Sequence, residues 1–203
     1  MLLYFIRHGE SEANQLNEFS NGLNKHPLTE KGRQQAHDLA ARFVDLPITA
    51  CYSSPILRAV ETASILCTEL GITYQVTEAL REFDVGVLEG KSDDQSWRRF
   101  WLLMDDWFER KEWDRRIEGG ENFWDIRRRF VPFIEGLVKE FDKTPAHLLL
   151  VSHGGTLRCM LPLILRNIDF PFVQNSHVHN TDVIVAESTP EGLVCRSWGE
   201  VKL

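Results

Sequence analysis

The stretch LLYFIRHGE, residues 2–10, sets five apolar residues directly against a charged segment that contains glycine. A short apolar run that ends in this way predicts a buried β-strand followed by a turn. The pattern recurs at residues 50–53, before Ser54-Pro55, and at residues 148–152, before His153-Gly154-Gly155. Helical spacing of apolar residues follows these runs. The alternation predicts an α/β fold, a three-layer sandwich whose mixed, mostly parallel sheet is flanked by helices.

Capping residues indicate where two of the helices begin. Thr29 precedes a segment whose apolar residues recur at helical spacing, and it predicts an N-cap at that point. Ser54 before Pro55 predicts a second N-cap, with the proline in the first turn and the helix continuing to Leu70. The further predicted elements are a helix over residues 155–165 and a closing hairpin of strands 183–186 and 193–198 around residues 190–192.

Residues 92–142 show no strand pattern and contain five of the six tryptophans. Apolar side chains recur there at helical spacing in two stripes, residues 97–108 and 123–137, so we predict a helical insertion within a single domain of residues 1–203. The aromatic side chains suit two helices that pack on each other or on the sheet. They also suit a lid that shapes a substrate pocket, and the two interpretations are compatible.

The composition limits the class of protein. A chain of 203 residues predicts one domain, and 23 Lys and Arg against 30 Asp and Glu give a net charge of −7, which argues against a nucleic-acid partner. Neither a zinc site nor a disulfide is indicated by the widely separated cysteines, which are Cys51, Cys67, Cys159 and Cys195. No segment has the apolar length of a signal peptide or a membrane span, so we expect a cytoplasmic protein with no membrane partner.

Cationic and imidazole side chains follow three of the predicted strands. Arg7 and His8 follow the first, Arg58 lies one turn beyond the second, and His153 follows another. The carboxyl ends of parallel strands share one edge of a sheet, where helix N-termini also present N–H groups to anions. Guanidinium forks at such an edge predict a phosphoryl-binding pocket. A metal site is disfavoured because arginine cannot ligate a metal and no acidic residue has the usual ligand spacing.

The remaining histidines lack this context. We expect His26 in a loop, His37 on a helix surface and His147 at a strand entry, each with a structural or solvent-facing role. His177 and His179 precede the late hairpin and are candidates to support the same sheet edge. The glycine-rich turn at residues 119–121 is interpreted as a loop that opens the second insertion helix.

Five motifs occur in order along nearly the whole chain. They are Arg7-His8-Gly9-Glu10-Ser11, PLTEKG at residues 27–32, Ser53-Ser54-Pro55 with Arg58 and Glu61-Thr62-Ala63, Leu80-Arg81-Glu82 with Gly86 and Glu89-Gly90, and Val151-Ser152-His153-Gly154-Gly155. This set resembles the histidine phosphatase superfamily, which has the phosphoglycerate mutase-like fold. The resemblance implies phosphoryl-transfer chemistry on a small-molecule phosphate ester, with no metal and no organic cofactor.

The resemblance also implies roles for individual residues. His8 matches the nucleophile that forms a phosphohistidine, and Glu82 matches the general acid. Arg7, Arg58 and His153 match the side chains that hold the transferring phosphoryl group. The implied substrate-binding residues are Arg7, Asn14, Arg58 and Gly154, with Ser20 and Asn21 at a more variable position.

Three activities fit these residues: hydrolysis of phosphate monoesters, a cofactor-dependent phosphoglycerate mutase, and phosphate binding without turnover. Phe83, directly after Glu82, stands where a mutase carries a cation, and the short chain points the same way, so hydrolysis is favoured. Arg98-Arg99 and Arg115-Arg116 in the insertion are candidates for the second anion site that a mutase needs. A binding module is expected to have lost His8 or Glu82, and both are present.

Overall fold

The structure is a computed structural model that describes residues 1–22, 25–141 and 143–203, and these residues contain one sheet of seven strands. The strands are β1 (Leu2–Arg7), β2 (Ile48–Ser53), β3 (Tyr74–Val76), β4 (His147–Ser152), β5 (Val183–Thr189), β6 (Gly192–Trp198) and β7 (Val201–Lys202). Their order across the sheet is β3-β2-β4-β1-β5-β6-β7.

The α-helices of the described residues lie on both faces of the sheet. They are α1 (Glu12–Leu16), α2 (Glu30–Ala41), α3 (Leu57–Leu70), α4 (Asp94–Phe108), α5 (Phe123–Glu140), α6 (Gly154–Ile164) and α7 (Phe170–Asn175), with short 3-10 turns at Glu78–Leu80 and Gly86–Leu88. Thr29 caps α2 as predicted, because its side chain accepts a hydrogen bond from the Gly32 N–H.

The sheet is mixed. β1 pairs in parallel with β4, β4 with β2, and β2 with β3, whereas β5, β6 and β7 add to the other side of β1 as antiparallel neighbours. β1, β2, β3, β4 and β6 therefore run in one direction, which confirms the mixed, mostly parallel sheet and the closing hairpin. The prediction lacks β3 and β7 because strands of three and two residues are too short to show a period.

Alternate side chains of β1 enter two separate cores. Leu3 and Phe5 belong to a large core that includes buried residues of α4, α5 and α6, whereas Tyr4 and Ile6 belong to a smaller core with residues of α2 and α3. Successive side chains of a strand point to opposite faces of its sheet, so one apolar run supplies both layers. The result is the predicted three-layer sandwich.

The predicted N-cap of α3 is wrong. The helix begins at Leu57 with Ile56 at the N-cap, and Ser54 lies two residues before that cap. Residues 54–56 form the turn between β2 and α3, so Ser54 is separated from the helix by Pro55 and Ile56. The Ser54 hydroxyl instead accepts a hydrogen bond from the Ile56 N–H and contacts the Nε2 atom of His153.

Two helices, α4 and α5, occupy the segment that we predict to be a helical insertion. No strand lies in residues 92–141 of the structure, and Asp142, the last residue of the predicted segment, lies outside the described residues. Trp107 is fully buried, whereas Trp101 of the same predicted stripe is 47% exposed. All four cysteines are free and buried. None of the described helices is both long and apolar enough to cross a membrane.

Candidate active site

Three neighbouring parallel strands deliver the predicted residues to one edge of the sheet. β1, β4 and β2 lie side by side in register, so that Arg7 is opposite Ser152 and Val151 is opposite Ser53. The turns that leave these strands carry His8, His153 and the approach to α3. The shared edge predicted from the strand-then-histidine pattern is therefore present.

Hydrogen bonds fix the tautomer of His8. Its Nδ1 atom lies 2.7 Å from the carbonyl oxygen of Gly9, which is an acceptor only, so Nδ1 carries the proton. Its Nε2 atom lies 2.9 Å from the Nε–H of Arg58, which is a donor only, so Nε2 carries a lone pair. Burial, with Arg58 and Arg7 adding repulsion, lowers the pKa of His8 well below 6.5. His8 is consequently a neutral imidazole with an unprotonated Nε2.

The backbone around His8 is also held in place. The His8 N–H donates to Ser152, and its carbonyl oxygen accepts from Asn180 Nδ2 at 3.0 Å. The N–H of Gly9 donates to Thr62 Oγ1 at 3.1 Å. A Cβ on Gly9 would lie 2.5 Å from the carbonyl oxygen of Gly32, so only glycine fits this turn. The imidazole is thus presented by a turn that is fixed from three sides.

His153 lies beside His8, with 5.0 Å between the ring centroids. It is fully buried, and its Nε2 atom is 2.7 Å from Ser54 Oγ. Burial, followed by the charge of Arg58, lowers the pKa of His153 well below 6.5. Its Nδ1 atom has no hydrogen-bond partner among the described residues. A buried imidazole nitrogen left in this state is suited to meeting a ligand atom.

Two arginines converge on the same point. Arg7 Nη1 donates to the Val178 carbonyl oxygen at 2.6 Å, while its Nε atom is buried without a partner in the described part of the chain. Arg58 Nη1 is buried in the same unpaired state. Burial lowers the pKa of Arg7 and lowers that of Arg58 to about 10, so both remain charged at neutral pH. Unpaired buried guanidinium N–H groups indicate that a polar ligand completes the site.

Glu82 lies at the N-terminus of α6. Its Oε1 atom accepts from the Thr156 N–H at 2.7 Å and the Thr156 hydroxyl at 2.9 Å, and its Oε2 atom accepts from the Gly155 N–H at 2.9 Å. A Cβ on Gly155 would lie 2.8 Å from Oε1. The second glycine of the HGG motif therefore makes room for this carboxylate.

The loop that follows Glu82 is joined to the start of the insertion. The Asp84 N–H donates to Glu121 Oε2 at 2.8 Å, and the Val87 N–H donates to the Glu118 carbonyl oxygen at 2.9 Å. Gly120 approaches so closely that a Cβ there would lie 2.6 Å from the Asp84 carbonyl oxygen. The interpretation of residues 119–121 as a plain loop is incomplete, because this turn holds the segment that carries Glu82.

The predicted substrate-binding residues face the same cavity. Asn14 Oδ1 accepts from Ser11 and from Asn180, which leaves the Asn14 amide nitrogen as the group to donate to a ligand. Ser20 is buried and lines the cavity, and its hydroxyl has no partner within the described residues. Asn21 lines the cavity as well, although its side chain donates to the Phe83 carbonyl oxygen at 2.6 Å.

These residues enclose a cavity of about 260 Å³. Its lining combines the polar residues of the site, aromatic side chains of α4 and a further cation, Arg158. The lining residues are Arg7, His8, Ala13, Asn14, Glu18, Phe19, Ser20, Asn21, Arg58, Glu82, Phe83, Val85, Trp97, Phe100, Trp101, Met104, Gly154, Gly155, Arg158, His177 and Val178. The cavity is lined by the predicted residues Arg7, His8, Glu82, Arg58 and Gly154, whereas His153 is fully buried and does not line it.

The cations that the sequence nominates in the insertion lie elsewhere. Arg98 and Arg99 are exposed and do not line the cavity, Arg115 pairs with Glu112, and Arg116 pairs with Asp125. The expectation of a second anion site from these residues is therefore wrong. An exposed helix face tolerates arginines without any ligand, so their type alone carries little information.

Several residues of the site were missed from the sequence. Arg158, one turn into α6, lines the cavity and donates from Nε and Nη2 to the Val173 carbonyl oxygen. Thr156 and Thr62 anchor Glu82 and Gly9. The HGG motif and helical spacing could have placed Thr156 and Arg158 near the site, because both lie on the first turns of α6.

The other histidines occupy the predicted places. His26 contacts Glu18, His37 contacts Glu69 on the neighbouring helix, and His147 contacts the Tyr4 hydroxyl. His177 lines the cavity, as expected for a supporting residue, while His179 does not. Among residues 1–22, 25–141 and 143–203, no group of three His, Cys, Asp or Glu side chains is arranged to hold a metal ion.

Several known proteins are similar to this chain in sequence or in fold. The probable phosphoglycerate mutase GpmB of Enterobacter sp. (strain 638) is 32% identical over 171 residues, which is 80% of this chain and 74% of that protein. The mycobacterial glucosyl-3-phosphoglycerate phosphatase has a TM-score of 0.82 and 22% identity, with 98% of both chains covered. The α-ribazole phosphatase of Shigella flexneri has a TM-score of 0.79 and 23% identity, covering 100% of this chain and 98% of that one.

The sequence model of the histidine phosphatase superfamily (branch 1) matches residues 3–201. That range contains each of the five motifs and all of the described strands except Leu2 of β1 and Lys202 of β7. The chain belongs to the histidine phosphatase superfamily.

Proposed function

We propose that this protein is a metal-independent phosphatase that hydrolyses small-molecule phosphate monoesters through a phosphohistidine on His8. One observation carries the proposal: a neutral His8, with its lone pair on Nε2, shares its site with three buried nitrogens that lack partners in the described residues. These nitrogens belong to Arg7, Arg58 and His153. A phosphoryl group offers the acceptor oxygens that such donors need and a phosphorus atom for the nucleophile.

In the first step, His8 Nε2 forms a bond to phosphorus while the ester P–O bond breaks. Arg58 Nε now donates to this lone pair, so the incoming phosphoryl oxygens must draw the guanidinium away to free it. Arg7, Arg58 and His153 then stabilise the charge on the equatorial oxygens. The amide of Asn14 and the N–H of Gly154 add further donors at the same edge.

Glu82 carries the proton in both steps. It protonates the leaving alkoxide, and the resulting carboxylate then takes a proton from the water that attacks the phosphohistidine. This attack breaks the N–P bond and releases inorganic phosphate with a neutral His8. Hydrogen bonds from α6 hold the Glu82 carboxyl group at the wall of the cavity, where it would meet the leaving group.

The aromatic wall supports a substrate with a bulky or planar alcohol. Trp97 and Trp101 stack with 6.1 Å between centroids, and both line the cavity beyond the phosphoryl site. Trp101 is 47% exposed, whereas an aromatic side chain with a purely structural role is normally more covered. We propose that α4 acts as a lid whose rings contact the leaving group. Ser20 and Asn21 complete this part of the pocket.

A phosphoglycerate mutase is the second candidate, and Arg158 is the observation that favours it. A mutase must hold a second anionic group, and Arg158 places a cation on the cavity wall. Phe83 disfavours a mutase because it stands where a mutase carries a cation, and its buried ring packs against Phe100 and Trp107 of α4. The name of the Enterobacter relative supports the mutase, and the names of the mycobacterial and Shigella proteins support the phosphatase.

A panel assay separates these candidates. Phosphate release from unactivated monoesters is measured with chelator present, beside interconversion of phosphoglycerates, for wild type and His8→Ala. The proposal predicts chelator-resistant release that disappears in His8→Ala. Interconversion without release would establish the mutase. Binding of phosphate esters with neither reaction would leave a binding protein and refute the proposal.

A further inference from the structure

Arg129, in the second turn of α5, lies beneath the segment that leads into Glu82. Its Nη1 atom donates to the carbonyl oxygens of Glu78, Ala79 and Arg81 at 3.2, 3.1 and 2.7 Å. The last of these carbonyls belongs to the residue directly before Glu82. One nitrogen of the mostly buried Arg129 guanidinium therefore holds three backbone carbonyls on the N-terminal side of Glu82, the proposed acid.

Glu121 holds the backbone on the other side. Its Oε2 atom accepts from the Asp84 N–H at 2.8 Å, two residues after Glu82. Its carboxylate also accepts from Arg129 Nε at 3.2 Å and from Arg129 Nη2 at 3.4 Å, and it pairs with Arg81 at 3.1 Å. Arg129 and Glu121 are 15% and 16% exposed, so water screens their interaction poorly.

We propose that the Arg129–Glu121 pair is a positioning device that sets where Glu82 meets the leaving-group oxygen. The inference rests on the proposed function, in which Glu82 is the general acid. Neither side chain lines the cavity, so each acts through the loop that it holds. Proton transfer requires donor and acceptor within hydrogen-bond reach, and a displaced loop would lengthen that approach. The insertion would thus supply part of the catalytic geometry as well as the cavity wall.

The planar fork of arginine is needed for this task. Arg129 contacts the Glu121 carboxylate through two nitrogens and the backbone carbonyls through a third. A lysine ammonium is a single point of donation and cannot span both sets of acceptors. Lysine can serve one set of acceptors but not both, so we expect Arg129→Lys to recover only part of the activity that is lost in Arg129→Gln.

The experiment compares two esters that differ in their need for an acid. Glycerol 3-phosphate has a poor leaving group and requires protonation, whereas 4-nitrophenyl phosphate has a stable leaving anion. We expect Arg129→Gln to lower kcat/KM at least about tenfold for glycerol 3-phosphate and less than about threefold for 4-nitrophenyl phosphate. Glu82→Gln should show the same selective loss, and the double variant should add little to it.

Arg128→Gln is the matched control, because Arg128 is exposed on the same helix and pairs with Asp125 on the surface. It should match wild type on both esters. Equal losses on the two esters in Arg129→Gln would indicate general destabilisation and would overturn the positioning role. Unchanged activity on both would overturn it as well.

Hydrogen exchange provides a readout that does not depend on activity. The amides of Gly155 and Thr156 donate to the Glu82 carboxylate, so a displaced Glu82 should increase their exchange at least about tenfold in Arg129→Gln. Unchanged exchange at both amides would refute the inference. If wild type hydrolyses neither these two esters nor any monoester of the panel, the proposed function fails, and the exchange result alone then decides the positioning of Glu82.

Discussion

Replacing Gly155 with alanine perturbs Glu82 by a single methyl group. The added Cβ would lie 2.8 and 2.9 Å from the two Glu82 carboxylate oxygens and 2.7 Å from Cε1 of Phe83. These separations are shorter than real Cβ contacts, so the carboxyl group must retreat by about half an ångström or more. The Phe83 ring is buried against α4 and cannot move aside instead.

The expected effect is a fall of about 10- to 100-fold in kcat/KM for an unactivated ester, since small displacements of catalytic groups have costs of this order. The loss should be much smaller for 4-nitrophenyl phosphate, whose leaving group needs no proton. Gly136→Ala in α5 is the control, because a Cβ there meets nothing within 4 Å. Its kinetics should equal those of wild type.

The assay is steady-state kinetics on both esters, with thermal unfolding of each variant to establish that it is folded. A folded Gly155→Ala protein with wild-type kcat/KM on the unactivated ester would refute the assignment of Glu82 as the acid held by α6. So would a loss of equal size on both esters.

Three further predictions concern other parts of the site. Arg58→Lys should lower kcat more than tenfold in stopped-flow phosphorylation assays, because an ammonium cannot replace the fork that contacts His8 and, in the proposed function, binds the phosphoryl oxygens. A wild-type rate would contradict this role. Thr62→Val should lower the free energy of unfolding in urea by about 1–3 kcal/mol, since it removes the buried acceptor of the Gly9 N–H; unchanged stability would show that this bond contributes nothing. Folding lowers the pKa of His8, so below pH 6.5 the unfolded chain binds a proton there more readily than the folded protein does. The free energy of unfolding should therefore fall as the pH drops from 6.5 toward the folded pKa, by up to about 1.4 kcal/mol per pH unit. Urea titrations from pH 7 to pH 5 should therefore show a shallower loss for His8→Gln, and an unchanged slope would refute the lowered pKa.

The fold was predictable from the sequence wherever a buried element is long enough to show its period. The runs that became β1, β2 and β4 are continuous and apolar because helices cover both faces of these strands. β3 is three residues long with two of them exposed, so no apolar pattern marks it. The cap of α3 was misplaced because the Ser54 hydroxyl contacts His153, which is 99 residues away in the chain, instead of capping the helix.

The candidate site divides in the same way. His8, Arg58 and His153 were predictable because each follows a strand, and the sheet brings strand ends together. The contact of Arg129 with the backbone that precedes Glu82 was not predictable, because it depends on how α5 packs beneath a loop about fifty residues earlier in the chain. Exposed arginines of the insertion such as Arg98 were wrongly expected to form a second anion site. A helix surface accepts charged side chains without any partner, so their presence indicates no ligand.

The central claim is that phosphorus becomes bonded to His8 Nε2 during turnover. Rapid acid-free quenching of enzyme mixed with a ³²P-labelled monoester, followed by peptide mapping and ³¹P NMR, tests it directly. The account predicts a base-stable, acid-labile label on Nε2 of His8 in wild type that forms with chelator present and is absent in His8→Ala. Turnover without a labelled histidine, or a label on any other residue, would contradict it.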